Sequence, residues 1–344
     1  MNHIGEIMAS EISETPSIFA RIIENSSIFD GVKNLLDDKK IRSILILARG
    51  TSDNAAHFLK YLVETQLGLP CGLTSPSSVT IYHSTLHYEG TLIIAISQSG
   101  QSPDLVGFAT SAKNAGATLI SMTNDDQSPL ATMADFHFSL SAGPELAVAA
   151  TKSYSAQLLI SYLLVSTWSG KIFDGQLLIS QAEKLASNRD LVLQAVGALS
   201  RDREIVVLGR GFAYPNAREA ALKIQETVKV SVQGLSTADY LHGPISALTP
   251  NTQVLLIAPF HIPSGSMEEA VSKIRLQVPT LMWIGNGGSP RGNDIVIPGS
   301  QCEDEIVSTI ADAISLQRLA MEFAVRSGFD PDAPEGLSKV TLTN

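Results

Sequence analysis

Two short turns are rich in groups that hold an anion. One is Gly50, Thr51, Ser52 and Asp53; the other is Ser97, Gln98, Ser99, Gly100, Gln101 and Ser102, and each follows an apolar run and precedes a helical pattern. Hydroxyl donors and the free N–H groups of a helix start attract a phosphate through the helix dipole, so no lysine is required. A lone serine at such a place is ordinarily a cap or turn former. Two such turns at one sheet edge read as a phosphate cradle, built from Gly50, Thr51, Ser52, Ser97, Gln98, Ser99 and Ser102. Neutral hydroxyls suit a small phosphoester better than a nucleoside triphosphate. Lys223 and Glu226 stand three apart in ALKIQE and project on one helix face. They are either an acid/base pair or an exposed ion pair worth ~0.3 kcal/mol.

Rival motifs fail. Gly209 and Gly211 begin a GxG, but Tyr214 occupies the third glycine position of the dinucleotide fingerprint, and no GxxxxGK[ST] occurs. NAD and ATP are therefore poor candidates, and no cofactor is expected. His83 and His87 lie four apart in HSTLHYEG without the glutamate of an HExxH arrangement, and Gly90 follows. This pattern is a loop or surface histidines rather than a metal site. The adjacent acids of TNDDQSPL (123–130) lack further ligands and read as a solvated turn. No metal site is expected.

The strands and helices that carry these turns come in two copies. IRSILILARG (41–50) recurs as DREIVVLGRG (202–211), matching Arg49 with Arg210 and Gly50 with Gly211. TLIIAIS (91–97) falls on TQVLLIA (252–258), and ATLISMT (117–123) on PTLMWIG (279–285). Between the runs, Ala55, Phe58, Leu59, Leu62 and Val63 follow a helical spacing, as do Ala217, Ala220, Ala221, Ile224 and Val228. Near-continuous apolar strands separated by helices predict parallel βαβ units with helices on both faces. Right-handed crossovers then bring the strand C-terminal ends to one edge, where ligands of such sheets bind. The expected division is a helical arm at 1–30, a first α/β domain at 31–170, a linking helix at 171–200, a second domain at 201–330 and a tail at 331–344.

Composition narrows the function. The 344 residues are 44% apolar and 17% charged, an ordinary globular profile. With 24 Lys and Arg against 34 Asp and Glu, the net charge of -10 argues against nucleic acid as a partner. Cys71 and Cys302 are too few for a disulfide framework, pointing to a reducing compartment. The N-terminus lacks a charged segment followed by an apolar one, and SAQLLISYLLVSTW (155–168) is too short and too interrupted to span a membrane. A cytoplasmic enzyme or binding protein without membrane contact is expected.

The GTS and SQSGQS turns, GPELAVAATKSY (143–154), ALKIQE (221–226), LHGP (241–244) and the tail LSKVTLT (337–343) resemble the sugar isomerase (SIS) family. In particular they are similar to the isomerase half of glucosamine-6-phosphate synthase. The resemblance implies two tandem SIS domains, each a flavodoxin-like parallel five-stranded sheet in a three-layer αβα arrangement. It also implies a homodimer in which His242 is contributed across the interface. The synthase begins with a glutaminase domain whose N-terminal cysteine attacks glutamine; here the methionine leads into the helical arm. The expectation is therefore a stand-alone SIS-type deaminase that converts glucosamine 6-phosphate and water to fructose 6-phosphate and ammonia.

That reaction needs ring opening at C1, a proton moved between C2 and C1, and hydrolysis of an imine. By resemblance Glu226 shuttles the proton, His242 opens and closes the ring, and Lys223 orients the sugar or tunes Glu226. Lys339 covers the sugar and either forms an imine or stabilises the enediolate. The backbone at Val148 faces the sugar, with Glu145 fixing its loop. Where the synthase has E-L-K-H-G-P, this chain has Asp239, Tyr240, Leu241, His242, Gly243 and Pro244; Gln225 replaces a lysine and Ala150 a serine. These changes surround the sugar hydroxyls and the amine. Galactosamine 6-phosphate, or a fructosamine 6-phosphate carrying an amino acid (a deglycase substrate), therefore stays open, as does a non-catalytic phosphosugar sensor.

Overall fold

The computed structural model describes residues 4–38, 40–171, 173–263, 265 and 267–339. Two parallel five-stranded sheets carry the chain. The first contains β1 (Ser43–Leu47), β2 (Cys71–Leu73), β3 (Thr91–Ile96), β4 (Thr118–Thr123) and β5 (Phe136–Ser139), ordered β2-β1-β3-β4-β5. The second contains β6 (Ile205–Gly209), β7 (Val232–Ser236), β8 (Gln253–Ile257), β9 (Met282–Ile284) and β10 (Ile295–Ile297), ordered β10-β9-β8-β6-β7. Counted from its own first strand, each sheet has the order 2-1-3-4-5, so the sequence repeat is a repeat of topology. Gly50 and Gly211, the matched glycines, both have φ of 56°, a backbone angle that glycine adopts without a Cβ clash.

The helices are α1 (Glu6–Glu24), α2 (Ile28–Asp38), α3 (Thr51–Leu62), α4 (Ser77–Thr80), α5 (Pro103–Asn114), α6 (Pro129–Met133), α7 (Lys152–Ser169), α8 (Gly175–Ser187), α9 (Leu193–Ala198), α10 (Ala213–Val228), α11 (Thr237–Leu241), α12 (Glu268–Ile274) and α13 (Glu305–Arg326). The described residues divide into two compact units. The first-sheet unit holds Ile18–Glu145, Ala156–Asp174, Ser338 and Lys339; the second-sheet unit holds residues up to Ser17, Leu146–Ser155 and Gly175–Leu337. The segment expected as a linking helix at 171–200 is thus mostly part of the second unit. There α8 receives a hydrogen bond on Gln181 Oε1 from the Gln301 amide. The expected arm at 1–30 likewise divides after Ser17. Among the described residues no helix is long and apolar enough to cross a membrane.

Within the first unit every residue of β3 and β4 is buried, as continuous apolar runs require when helices cover both faces. Helix α5 lays Leu105, Phe108 and Ala109 on Leu47, Ile93, Ala95 and Leu119. In the second unit α10 and α13 cover one face of the sheet, and α11 and α12 the other. The strand order reverses at β1, with β2 added on one side of it and the parallel β3 on the other, so the turns after β1 and β3 open at the switch point where α/β sheets take ligands.

One buried charge in the second unit gives a pH-dependent prediction. Asp312 on α13 is 0% exposed; its Oδ1 accepts the Ser300 amide at 2.6 Å, and its Oδ2 has no partner among the described residues. Burial pushes its carboxyl up to about 7, and the Ser300 N–H offsets only part of that. An unfolded chain releases this proton near pH 4 while the folded one keeps it to about pH 7. This group therefore subtracts stability progressively as pH rises through that window, by about 4 kcal/mol at most. Half-buried Glu305, pushed up to about 7 by burial and by Asp304, acts in the same direction. Asp312→Asn should flatten the slope and raise the denaturation midpoint at pH 8 more than at pH 5. Equal midpoint gains at both values would refute the assignment.

Candidate active site

In the first unit three serines of the expected cradle have oxygens that are already occupied. Ser97 Oγ accepts the Gly100 amide at 3.0 Å, and Ser99 Oγ accepts the Gln101 amide at 3.3 Å. Ser52 Oγ accepts Nε2 of Gln157, on α7, at 2.9 Å. A hydroxyl whose oxygen accepts has its single hydrogen left to donate. None of these three hydrogens meets an acceptor among the described residues, so all three can serve an anion. Ser102 precedes α5 at the N-cap without a capping bond from its own side chain, and Thr51 opens α3. The turn geometry demands Gly100, since its φ is 65° and a Cβ there would stand 2.2 Å from the Ser128 hydroxyl. Across the two turns Arg49 Nε donates to the buried Asp104 Oδ2 at 3.0 Å, holding the end of β1 beside the start of α5.

The same unit positions the tail lysine. Lys339 Nζ donates to Oε2 of Glu145 at 2.8 Å, and the Glu145 side chain is 0% exposed. The buried carboxylate holds the tail nitrogen in a defined place. Glu145 therefore meets the tail. Within the second unit Glu11 accepts the amides of Leu146 and Ala147. The Val148 amide is itself taken by the Asp332 carbonyl at 3.0 Å, so only the Val148 carbonyl remains for a ligand.

In the second unit α10 carries a buried charge row. Lys223 is 1% exposed, with Nζ 2.5 Å from Glu226 Oε2 and 3.6 Å from Glu219 Oε1. This geometry removes the exposed-pair alternative. Glu219 is as buried as the lysine, whereas the Glu226 side chain keeps 25% exposure. Glu226 thus has one oxygen fixed by a cation, and its carboxylate is still reachable. His242 forms the C-cap of α11, its amide donating to the Asp239 carbonyl at 3.1 Å, and its ring has no hydrogen-bond partner among the described residues. Asp239 in turn accepts the Ser236 hydroxyl at 2.8 Å. Among the described residues no hydrogen bond or ion pair joins His242 to Glu226. His83, in the left-handed region, and His87 are exposed and lie outside any helix. Among the described residues no group of three His, Cys, Asp or Glu side chains could hold a metal ion.

Residues 39–167 match the SIS domain family. Over 359 aligned residues the chain is 31% identical to glutamine–fructose-6-phosphate aminotransferase (isomerizing) of Gloeobacter violaceus, covering 96% of this chain and 58% of that protein. The chain carries an SIS domain. This SIS-domain chain spans a little over half the length of the curated relatives it matches first. Its fold superposes on the C-terminal domain of glucosamine-fructose-6-phosphate aminotransferase from Francisella tularensis with a TM-score of 0.87, at 23% identity over 97% of this chain and 98% of that one. Glucosamine-6-phosphate deaminase of Thermotoga maritima shares the fold at a TM-score of 0.76 and 20% identity, over 98% of the SIS-domain chain and 100% of its own.

Four residues that brace the expected site residues or their neighbours escape the sequence pattern. Gln157, Asp104 and Glu11 lie far along the chain from what they hold, with no local spacing to mark them. Glu219 stands four residues before Lys223 in EAALKIQE, and that i, i+4 charge spacing is the one signal that could have revealed it.

Proposed function

We propose that this protein is an amino sugar phosphate isomerase that also deaminates. It would convert glucosamine 6-phosphate and water to fructose 6-phosphate and ammonia. The hydroxyl hydrogens of Ser52, Ser97 and Ser99, with the N–H groups of their turns, receive the phosphoryl oxygens. The His242 ring opens the sugar. Glu226 then takes the C2 proton and returns it to C1, with Lys223 holding the carboxylate in place, and Lys339 supplies a cation beside the carbonyl oxygen. Water adds at C2 to the resulting imine, and ammonia leaves. A homodimer with His242 serving the partner's site belongs to the same proposal.

The observation that carries this reading is the set of three serines whose oxygens accept N–H groups and whose hydrogens are left over. Beside it, the Lys223–Glu226 pair is a base with a fixed orientation. Ammonia release should be measured over glucosamine 6-phosphate, galactosamine 6-phosphate and fructosamine 6-phosphates carrying an amino acid. The first is expected to turn over fastest, without added metal or nucleotide. Tight binding of all three without turnover of any would instead establish a phosphosugar sensor.

A further inference from the structure

We propose that Gln157 sets the direction of the Ser52 hydroxyl so that Ser52 donates its hydrogen to the phosphoryl group. The inference rests on the cradle reading above and adds a positioning residue to it. Ser97 and Ser99 are oriented by amides of their own turn, which no side-chain substitution removes. Ser52 is different. Its orientation comes from a single side-chain amide 105 residues along the chain, reaching it at 2.9 Å from α7.

The two ends of that amide have opposite consequences. With Nε2 toward Ser52, as observed, the serine oxygen accepts and its hydrogen is free for an anion. With Oε1 toward Ser52, the hydrogen would be spent on the glutamine and the oxygen lone pairs would face the anion, which repels them. Gln157 is 0% exposed, and its Oε1 has no partner among the described residues. Nothing described here besides Ser52 holds the amide in this orientation. A bound phosphate favours it and disfavours the flipped one, so the pair is matched to a negatively charged ligand.

The test is binding and turnover of glucosamine 6-phosphate by Ser52→Ala, Gln157→Met, the double variant and Gln157→Glu, each first checked for a native unfolding midpoint. Losing a hydrogen bond to a charged group should weaken binding about tenfold or more in Ser52→Ala. Gln157→Met should raise KM by a similar factor with little change in kcat, and should add nothing in the Ser52→Ala background. Gln157→Glu should bind worst at pH 8 and recover toward pH 5, where the introduced carboxyl gains a proton it can donate to Ser52. Wild-type affinity in Ser52→Ala would overturn the cradle at this turn, and the inference with it. Loss in Ser52→Ala with wild-type affinity in Gln157→Met would overturn the inference alone, as would an undiminished Gln157→Met effect in the double variant.

Discussion

Glu226→Gln is expected to lower kcat on glucosamine 6-phosphate by about two to four orders of magnitude, the range contributed by a positioned general base. Its KM should change little. The amide keeps the shape of the carboxylate and can still accept from Lys223, so the charge row on α10 stays assembled while the group loses its capacity to take a proton. Steady-state kinetics on a variant with an unchanged unfolding midpoint would measure this. A kcat within tenfold of the parent would assign the proton transfer to another residue.

Lys223→Met should produce the largest loss of stability among the site variants. The lysine is 1% exposed and lies between two carboxylates, one of them equally buried. Removing one partner of a buried ion pair costs about 3–5 kcal/mol, because a charge remains in the interior without its counterion. Pairing the change with Glu219→Gln removes that stranded charge and should restore most of the loss, since a buried ion pair exchanged for neutral groups is often close to neutral. Denaturant unfolding of both variants gives the comparison. An exposed i, i+3 pair would instead lose about 0.3 kcal/mol.

The inner strands were legible because both faces of each sheet are covered, which writes them and their flanks as unbroken apolar runs. β1, β3, β4, β6, β8 and β9 all fall inside the segments that the repeat marked out. The edge strands were not. β2 and β10 are three residues each, and β7 reads VQGLS with only its ends buried, so neither length nor periodicity separates them from loop. The serines of the proposed cradle could be picked out because they follow strand ends directly. Their supports were not, because Gln157 and Asp104 act across gaps of 105 and 55 residues that only the folded chain closes. The ion pair on α10 could be read as a face-sharing pair from spacing. Its burial could not, since helical spacing tells which residues are neighbours and not how deep they lie.

The most direct measurement sets two affinities side by side: calorimetric titration of glucosamine 6-phosphate into Ser52→Ala and into Glu226→Gln. If hydroxyls of the first sheet grip the phosphoryl end while a carboxylate on α10 serves only the proton, the alanine variant binds at least about tenfold more weakly. The glutamine variant then binds like the parent and releases no ammonia. Equal losses in both variants, or full affinity in the alanine variant, would contradict that division of labour.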